Sequence, residues 1–379
     1  MADLPDRITF NQPALLGQEL EYIRQSVETM HTSGDGSFSR RCSALLREAL
    51  GVPQVFLTPS CTDALEMCAI LLDLAPGDEV IVPAFSFVST VNAFVLRGVR
   101  PVFADVRRDT LNLDESRLES LITDRTRAIV VVHYAGVACE MDAILEIAAR
   151  RGIPVVEDNA HGLFGRYRGR NLGTLGLLAA QSFHETKNFS CGEGGALLVN
   201  DAGLVERAEI IRDKGTNRQQ LFRGQVDKYT WVDLGSSYSL SDLLAAYLYA
   251  QLEARETVGH KRKAIWETYD GAFRGVLEAH GVRLPHVPSE CVQAHHMYWI
   301  AHPNPETRVR FAETMKRHGI CCETHYQPLN RSLMGRRLGG DQSCPVAERA
   351  AETVVRLPFY NNLTAIDQQR VISETLAFF

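Results

Sequence analysis

No two of the nine cysteines stand in the C-x-x-C spacing that zinc sites and dithiol redox centres use, and their odd number and irregular positions offer no disulfide framework. Positive charge is also in short supply: 46 acidic against 40 basic side chains leave a formal net charge of −6 over 379 residues. A platform for polymeric nucleic acid needs a basic face to displace counterions, so that class is excluded. A small polyanion remains possible if cations gather locally against the net field. Long apolar runs are missing too. The longest uncharged stretch, Val80–Leu96, contains Pro83, Ser86, Ser89, Thr90 and Asn92, and it falls short of the about 18 apolar residues of a membrane helix. The opening residues MADLPDRITFNQP hold no basic stretch followed by an apolar core, so no secretory signal is read and a soluble, cytoplasmic protein is expected. No repeat and no low-complexity tract is visible.

What is present is ordinary globular composition, 45% apolar and 23% charged, on a chain longer than one hydrophobic core usually supports. Two domains are expected, a large one over 1–255 and a small α/β one over 256–379. Leu20, Ile23, Val27 and Met30 recur at helical spacing. Short apolar runs of strand character follow at 55–58, 79–83, 101–106, 128–133 and 153–158, separated by helical segments such as 61–73, 87–97 and 141–151. Runs that are apolar throughout suit strands covered on both faces, hence a mainly parallel sheet wound with helices. Ligands bind such sheets beyond the carboxyl ends of the strands, which directs attention to Pro83–Phe87, His133–Tyr134 and Glu157–His161. A helix from Leu240 to about Lys263 is expected to lead into the small domain, where strand-like pieces at 295–302 and 319–329 flank a helix near 305–318. The polar, aromatic-tipped segment 214–233 is longer than a connector needs.

Three local patterns bear on chemistry. In SFHETKNFSCGEGGALLVN (182–200) a lysine sits between a polar turn and a glycine cluster that leads into a strand. A lysine of lowered pKa can form a Schiff base, and the glycines allow tight turns and close approach. GEGG lacks the G-x-G-x-x-G dinucleotide spacing and precedes a strand rather than a helix. In VVEDNAHG (155–162) Asp158 ends an apolar strand, where a carboxylate could pair with a pyridinium nitrogen. In TPSCTDALEM (58–67) small polar residues join a strand to a helix, which would offer backbone N–H groups to a phosphate. Taken singly, each has a plainer reading: a solvated lysine on a hairpin, a turn carboxylate, an N-cap at Ser60 or Thr62. Their order on an α/β scaffold is what distinguishes them.

The longer words LTPSCTDALEM, HYAGVACEMD, SFHETKNFSCGEGGA and IRDKGTNRQQLFRGQVDKYTW, bounded by FNQPALLGQEL and RLPFYNNLT, closely resemble the DegT/DnrJ/EryC1/StrS family of sugar aminotransferases. The resemblance implies a fold-type-I pyridoxal-phosphate-dependent transferase of the aspartate aminotransferase-like class, a homodimer with active sites at its interface. By the same resemblance Lys187 is the Schiff-base lysine, Asp158 the partner of the pyridine nitrogen, and His161 the neighbour of the ring hydroxyl. Phe87 falls where the family stacks an aromatic ring on the cofactor, Ser182 matches a phosphate-binding hydroxyl, and the Cys61–Thr62 backbone matches the phosphate-binding turn. Two departures stand out: Cys61 replaces a glycine, and Ser237, in LGSSYSLSD, replaces an asparagine that reaches the phosphate across the dimer interface. His325 and Tyr326 match an H-Y pair near the substrate.

The branch of the family most resembled aminates dTDP-4-keto-6-deoxyglucose with L-glutamate, the galacto product being favoured. The gluco product, or another nucleotide-linked keto sugar, is the alternative. Lys187 argues against the related dehydratase, which carries histidine there, and no DNA-binding segment supports a cofactor-binding regulator. Arg218, Arg223 and Lys228 lie in one polar segment that could cradle a diphosphate through arginine's bidentate fork, or could be scattered solvated charges. Cys321 and Cys322 are read as structural thiols. His295 and His296 are adjacent, a poor spacing for shared ligation, so no metal is proposed.

Overall fold

The computed structural model describes residues 7–379. Thirteen strands are found among them: β1 (Gln54–Thr58), β2 (Glu79–Pro83), β3 (Arg100–Ala104), β4 (Thr126–Val132), β5 (Val155–Asp158), β6 (Arg166–Tyr167), β7 (Arg170–Asn171), β8 (Leu178–Ser182), β9 (Gly195–Val199), β10 (Cys291–Val292), β11 (Trp299–Ala301), β12 (Glu323–Thr324) and β13 (Val354–Arg356). Seven of them build the main sheet in the order β1-β9-β8-β5-β4-β2-β3. The pairs β2–β3, β2–β4, β4–β5 and β5–β8 are parallel, whereas β9 runs antiparallel to both β8 and β1. Every residue of β2, β5, β8 and β9 is buried, as unbroken apolar runs require when helices cover both faces. Burying a Val or Ile completely, as at Ile129 and Val130, stabilises by about 1.5–3 kcal/mol.

Helix boundaries follow local chemistry. The helix Cys61–Leu71 is capped by Ser60, whose Oγ accepts from Asp63 N at 3.0 Å. Met141–Arg151 stops at Gly152, which takes the left-handed conformation at φ 65°. Asn304 caps Pro305–Arg317, with proline in the first turn. The single helix expected from Leu240 to about Lys263 is two, Asp242–Glu253 and Arg255–Phe273, broken at Ala254. The first packs Leu248 and Leu252 into one core, while the second carries Ile265, Trp266, Tyr269 and Phe273 into another. The break turns the chain between the two.

That second core surrounds a small antiparallel sheet of order β11-β13-β12. The start of the described chain joins it: Ile8 N donates to Gly319 O and Cys321 N to Ile8 O, both at 2.9 Å. The largest core spans both regions, bringing Trp299 and Val354 against residues of the main sheet such as Val82 and Phe103.

The first helix, Glu19–Glu28, carries the apolar spacing read from the sequence, but with its apolar side outward. Leu20 is 72% exposed and Val27 50%, whereas Glu19 and Ser26 are buried. Glu19 accepts from Leu16 N and Gly17 N and from Gln251 Nε2, at 2.6–2.9 Å.

Candidate active site

The carboxyl ends of β1, β2, β4, β5 and β8 open on one cavity of about 710 Å³, closed on the far side by residues around β11, β12 and β13. Because β9 is antiparallel to β8, the loop 183–194 between them lies on this edge and delivers Lys187 to the cavity. Burial lowers the Lys187 pKa from its ordinary 10.5, Arg356 pushes the same way, and Cys61 and Asp158 oppose them. Asp158, at the end of β5, is almost fully buried. Its Oδ2 accepts from Thr90 Oγ1 at 2.6 Å and its Oδ1 from Ala160 N at 3.2 Å. Desolvation raises its pKa against the pull of that hydroxyl, the Ala160 amide and Lys187.

The neighbouring Glu157 serves the frame instead. It is fully buried, meets His133 Nε2 at 2.8 Å and accepts from the amides of Gly173, Leu175 and Gly176 at 2.6–2.7 Å. Cys139 N donates to His133 Nδ1 at 3.2 Å, so the His133 proton sits on Nε2 and points at the carboxylate.

At the other end of the cavity the helix Cys61–Leu71 presents its N-terminus, with Thr62 Oγ1 donating to Ser89 Oγ at 2.8 Å and Ser182 close by. Cys61 costs this turn none of its geometry, because it occupies the first helical position and lacks a positive φ. The need for glycine falls on Gly195. A Cβ there would lie 2.3 Å from Ser60 C and 2.4 Å from Cys61 N, so the start of β9 presses on the turn itself.

The opposite wall is aromatic and basic. His161 stacks on His296 with ring centroids 4.1 Å apart, and Tyr326 stands over His325 at 3.5 Å. Tyr134 hydroxyl meets His325 Nδ1 at 3.0 Å. Asn188, next to Lys187, donates through Nδ2 to Ala294 O at 2.7 Å, which turns its Oδ1 to accept from His296 Nδ1 at 2.9 Å. Burial, then the neighbouring imidazole and cations, holds His296 well below its ordinary pKa, and burial does the same for His161 and His325. Phe87 lines the mouth, its ring 57% exposed and 6.2 Å from that of Tyr326.

Thus the cavity gathers Lys187, Asp158, His161, Ser182, Cys61, Thr62, Phe87, His325 and Tyr326. It does not gather the basic segment. Arg223 is held by Glu209 at 2.8 Å, Arg218 lies over the Phe222 ring at 5.2 Å, and Lys228 is exposed. Ser237 is exposed as well and bridges to Asp213 outside this cavity. Among the lining residues not singled out as ligands in the sequence are His296, Glu323 and Arg356. An arginine interrupting the apolar run VVRLPF was the available signal for the last.

The sequence matches the DegT/DnrJ/EryC1/StrS aminotransferase family over residues 14–375. The chain belongs to that family. It is a pyridoxal-phosphate-dependent aminotransferase. Among its relatives, the uncharacterized protein MJ1066 of Methanocaldococcus jannaschii is 30% identical over 363 residues, 93% of each chain. The crystal structure of the aminotransferase TlmJ from Streptoalloteichus hindustanus is similar at a TM-score of 0.90 and 32% identity, over 98% of this chain and 99% of that one. S. venezuelae DesV, solved in complex with a ketimine intermediate, gives 0.89 and 29% over 98% of both chains.

The aminotransferase's own residues fit this cofactor. Asp158 is a desolvated carboxylate suited to a cationic ring nitrogen, Lys187 an amine of lowered pKa, and the Cys61–Thr62 turn an anion site. His161 Nδ1 is buried without a hydrogen-bond partner, an orphan that a ring substituent would satisfy.

Proposed function

We propose that this aminotransferase moves the amino group of L-glutamate to the C4 ketone of a nucleotide-linked sugar, dTDP-4-keto-6-deoxyglucose, to give the 4-amino-4,6-dideoxyhexose of galacto configuration. The observation that carries the reading is the convergence of Lys187, Asp158 and His161 on one cavity, from segments whose wording resembles the branch with that activity. Bound pyridoxal phosphate supplies an electron sink and the carbon that carries nitrogen between the two substrates. Lys187 would hold the cofactor, and its Nζ would take the proton from the donor's Cα and return it in the second half-reaction. Asp158, fixed by Thr90, would keep the ring nitrogen protonated. His161 would meet the ring hydroxyl, Phe87 would cover the ring face, and Ser182 with the Cys61–Thr62 amides would hold the phosphate. The aromatic wall of His325 and Tyr326 supports a site for the sugar ring.

A homodimer completes this reading. The outward apolar side of the first helix, with Leu20 and Val27 exposed and Met30 exposed just beyond its end, supports an interface with a second copy. Ser237 would reach the cofactor phosphate from that copy. Arg218 and Lys228, and Arg223 once released from Glu209, would meet a nucleotide diphosphate at the shared mouth. Incubation with dTDP-4-keto-6-deoxyglucose and L-glutamate, followed by NMR of the product, tests the proposal. An axial amine at C4 supports it, an equatorial amine redirects it to the gluco product, and an unreacted sugar overturns the substrate.

A further inference from the structure

His296 reaches the cavity with one ring nitrogen already committed. Its Nδ1 lies 2.9 Å from Asn188 Oδ1, while Asn188 Nδ2 donates to Ala294 O at 2.7 Å. Turning that amide over would set two oxygens against each other, so the imidazole proton sits on Nδ1. Nε2 is then a bare lone pair. It meets no protein group among the described residues, and it is open to the cavity that His296 lines rather than sealed away. Burial, the neighbouring His161 and the cations Lys187, Arg262 and Arg356 all disfavour a second proton on this ring.

The ring is also held in place. It stacks on His161 with an interplanar angle of 15°. Arg262, itself buried, donates from Nε to His295 O at 2.9 Å and from Nη2 to His296 O at 2.6 Å. Ala294 N donates to Gly136 O at 2.9 Å. Between these clamps His295 takes the left-handed conformation at φ 49°, which residues with a side chain rarely adopt. Such strain persists where the surroundings impose it. An acceptor fixed in this way suits one donor at one position.

We propose that His296 is a specificity-determining residue for the sugar, its Nε2 accepting a hydrogen bond from the hydroxyl on C3. The inference rests on the C4-keto sugar of the proposed function. Glutamate presents carboxylates, which a lone pair repels, and its amino group is the one that reacts. The cofactor's ring hydroxyl falls to His161 on the same reading. The sugar's C4 carries a carbonyl oxygen, which donates nothing. Of the two carbons beside it, C5 bears only the methyl group and the ring oxygen, so C3 alone brings a donor next to the reacting centre. A sugar lacking that hydroxyl would leave Nε2 desolvated and unpaired, which weakens its binding.

The test uses the holoenzyme pre-treated with L-glutamate and two probes, dTDP-6-deoxygalactose and its 3-deoxy counterpart. Both carry a hydroxyl at C4 instead of the ketone and do not react. Calorimetry on wild type should show the first bound at least tenfold more tightly. His296→Asn puts an amide nitrogen where Nδ1 stood, keeps the bond to Asn188 and removes Nε2, so the preference should fall below threefold. His296→Phe keeps the stack, lacks any acceptor, and gives the same readout if His296→Asn does not fold. The reaction with glutamate, followed through the cofactor's absorbance band, should stay within threefold of wild type in His296→Asn. A smaller preference in wild type overturns the inference, as does a preference of threefold or more in the variant, whatever its overall affinity. A larger fall in the glutamate reaction overturns it too, since the ring would then serve Lys187 through Asn188. Binding of neither probe overturns it together with the proposed sugar, whereas discrimination without turnover of the keto sugar overturns that substrate alone.

Discussion

Thr90 donates its hydroxyl to Asp158 Oδ2 at 2.6 Å, and Ser86 meets the same Thr90 oxygen at 2.7 Å. The carboxylate proposed to hold the cofactor's ring nitrogen is therefore aimed by a relay from the loop after β2. Hydrogen bonds to charged groups are worth about 1.5–3 kcal/mol. Thr90→Val keeps the shape and removes the donor, so kcat/KM should fall by roughly 10- to 100-fold, and the thermal midpoint should fall by a few degrees. Steady-state kinetics beside calorimetry checks both halves.

Lys187→Ala removes the amine proposed to move the proton. Turnover with glutamate as donor should vanish, and the absorbance band of the cofactor's link to lysine should be lost. Wild-type rates in this variant would sink the assignment of the residue.

Gly195→Ala places a methyl 2.3 Å from Ser60 C and 2.4 Å from Cys61 N. Backbone stands on both sides, so β9 or the turn must shift, at about 1–3 kcal/mol or more. Expected are a lower thermal midpoint and weaker retention of pyridoxal phosphate, read by denaturation and by the phosphate content of the purified protein.

Glu157 and His133 link stability to pH. Burial pushes the Glu157 carboxyl up, but the hydrogen bond from His133, with the Gly176 and Gly173 amides, outweighs it and holds the pKa below its ordinary 4.5. A depressed native pKa contributes stability that is present above 4.5 and is lost as pH falls through the native value. Urea unfolding at pH 7 and at pH 4 should show that loss. Glu157→Gln should cost about 3–5 kcal/mol at pH 7 and flatten the acid dependence.

Leu20→Asp introduces charge into the outward apolar side of the first helix. If that side meets a second copy, sedimentation should show the dimer of the wild type replaced by monomer, with the fold intact by circular dichroism.

Much of the large region was legible in the sequence because its determinants are local. Met141–Arg151 and Glu79–Pro83 fall where periodicity and apolar runs put them, and Lys187 and Asp158 sit in short words that need no partner to be read. The small sheet was less legible. Of the strand-like runs at 295–302 and 319–329, only Trp299–Ala301 and Glu323–Thr324 are strands, held by β13 from far along the chain. Arg356 and Glu323 become neighbours only through that pairing. The Arg223–Glu209 ion pair is likewise non-local, and it removes from the cavity a residue that composition alone had placed near phosphate. The break at Ala254 had no local mark either, since it answers to which core each helix half enters.

The place of β9 also fixes an order of events. β1 is the first strand of the sheet to leave the ribosome, yet Thr58 has no neighbour until Gly195 arrives. The segment Val55–Thr58 must therefore wait, apolar and unpaired, while most of the sheet is made. Pairings so distant in sequence slow folding and leave strand edges open to aggregation. The lysine loop is closed by that same late step, so the candidate active site forms only when the sheet's outer edge is sealed.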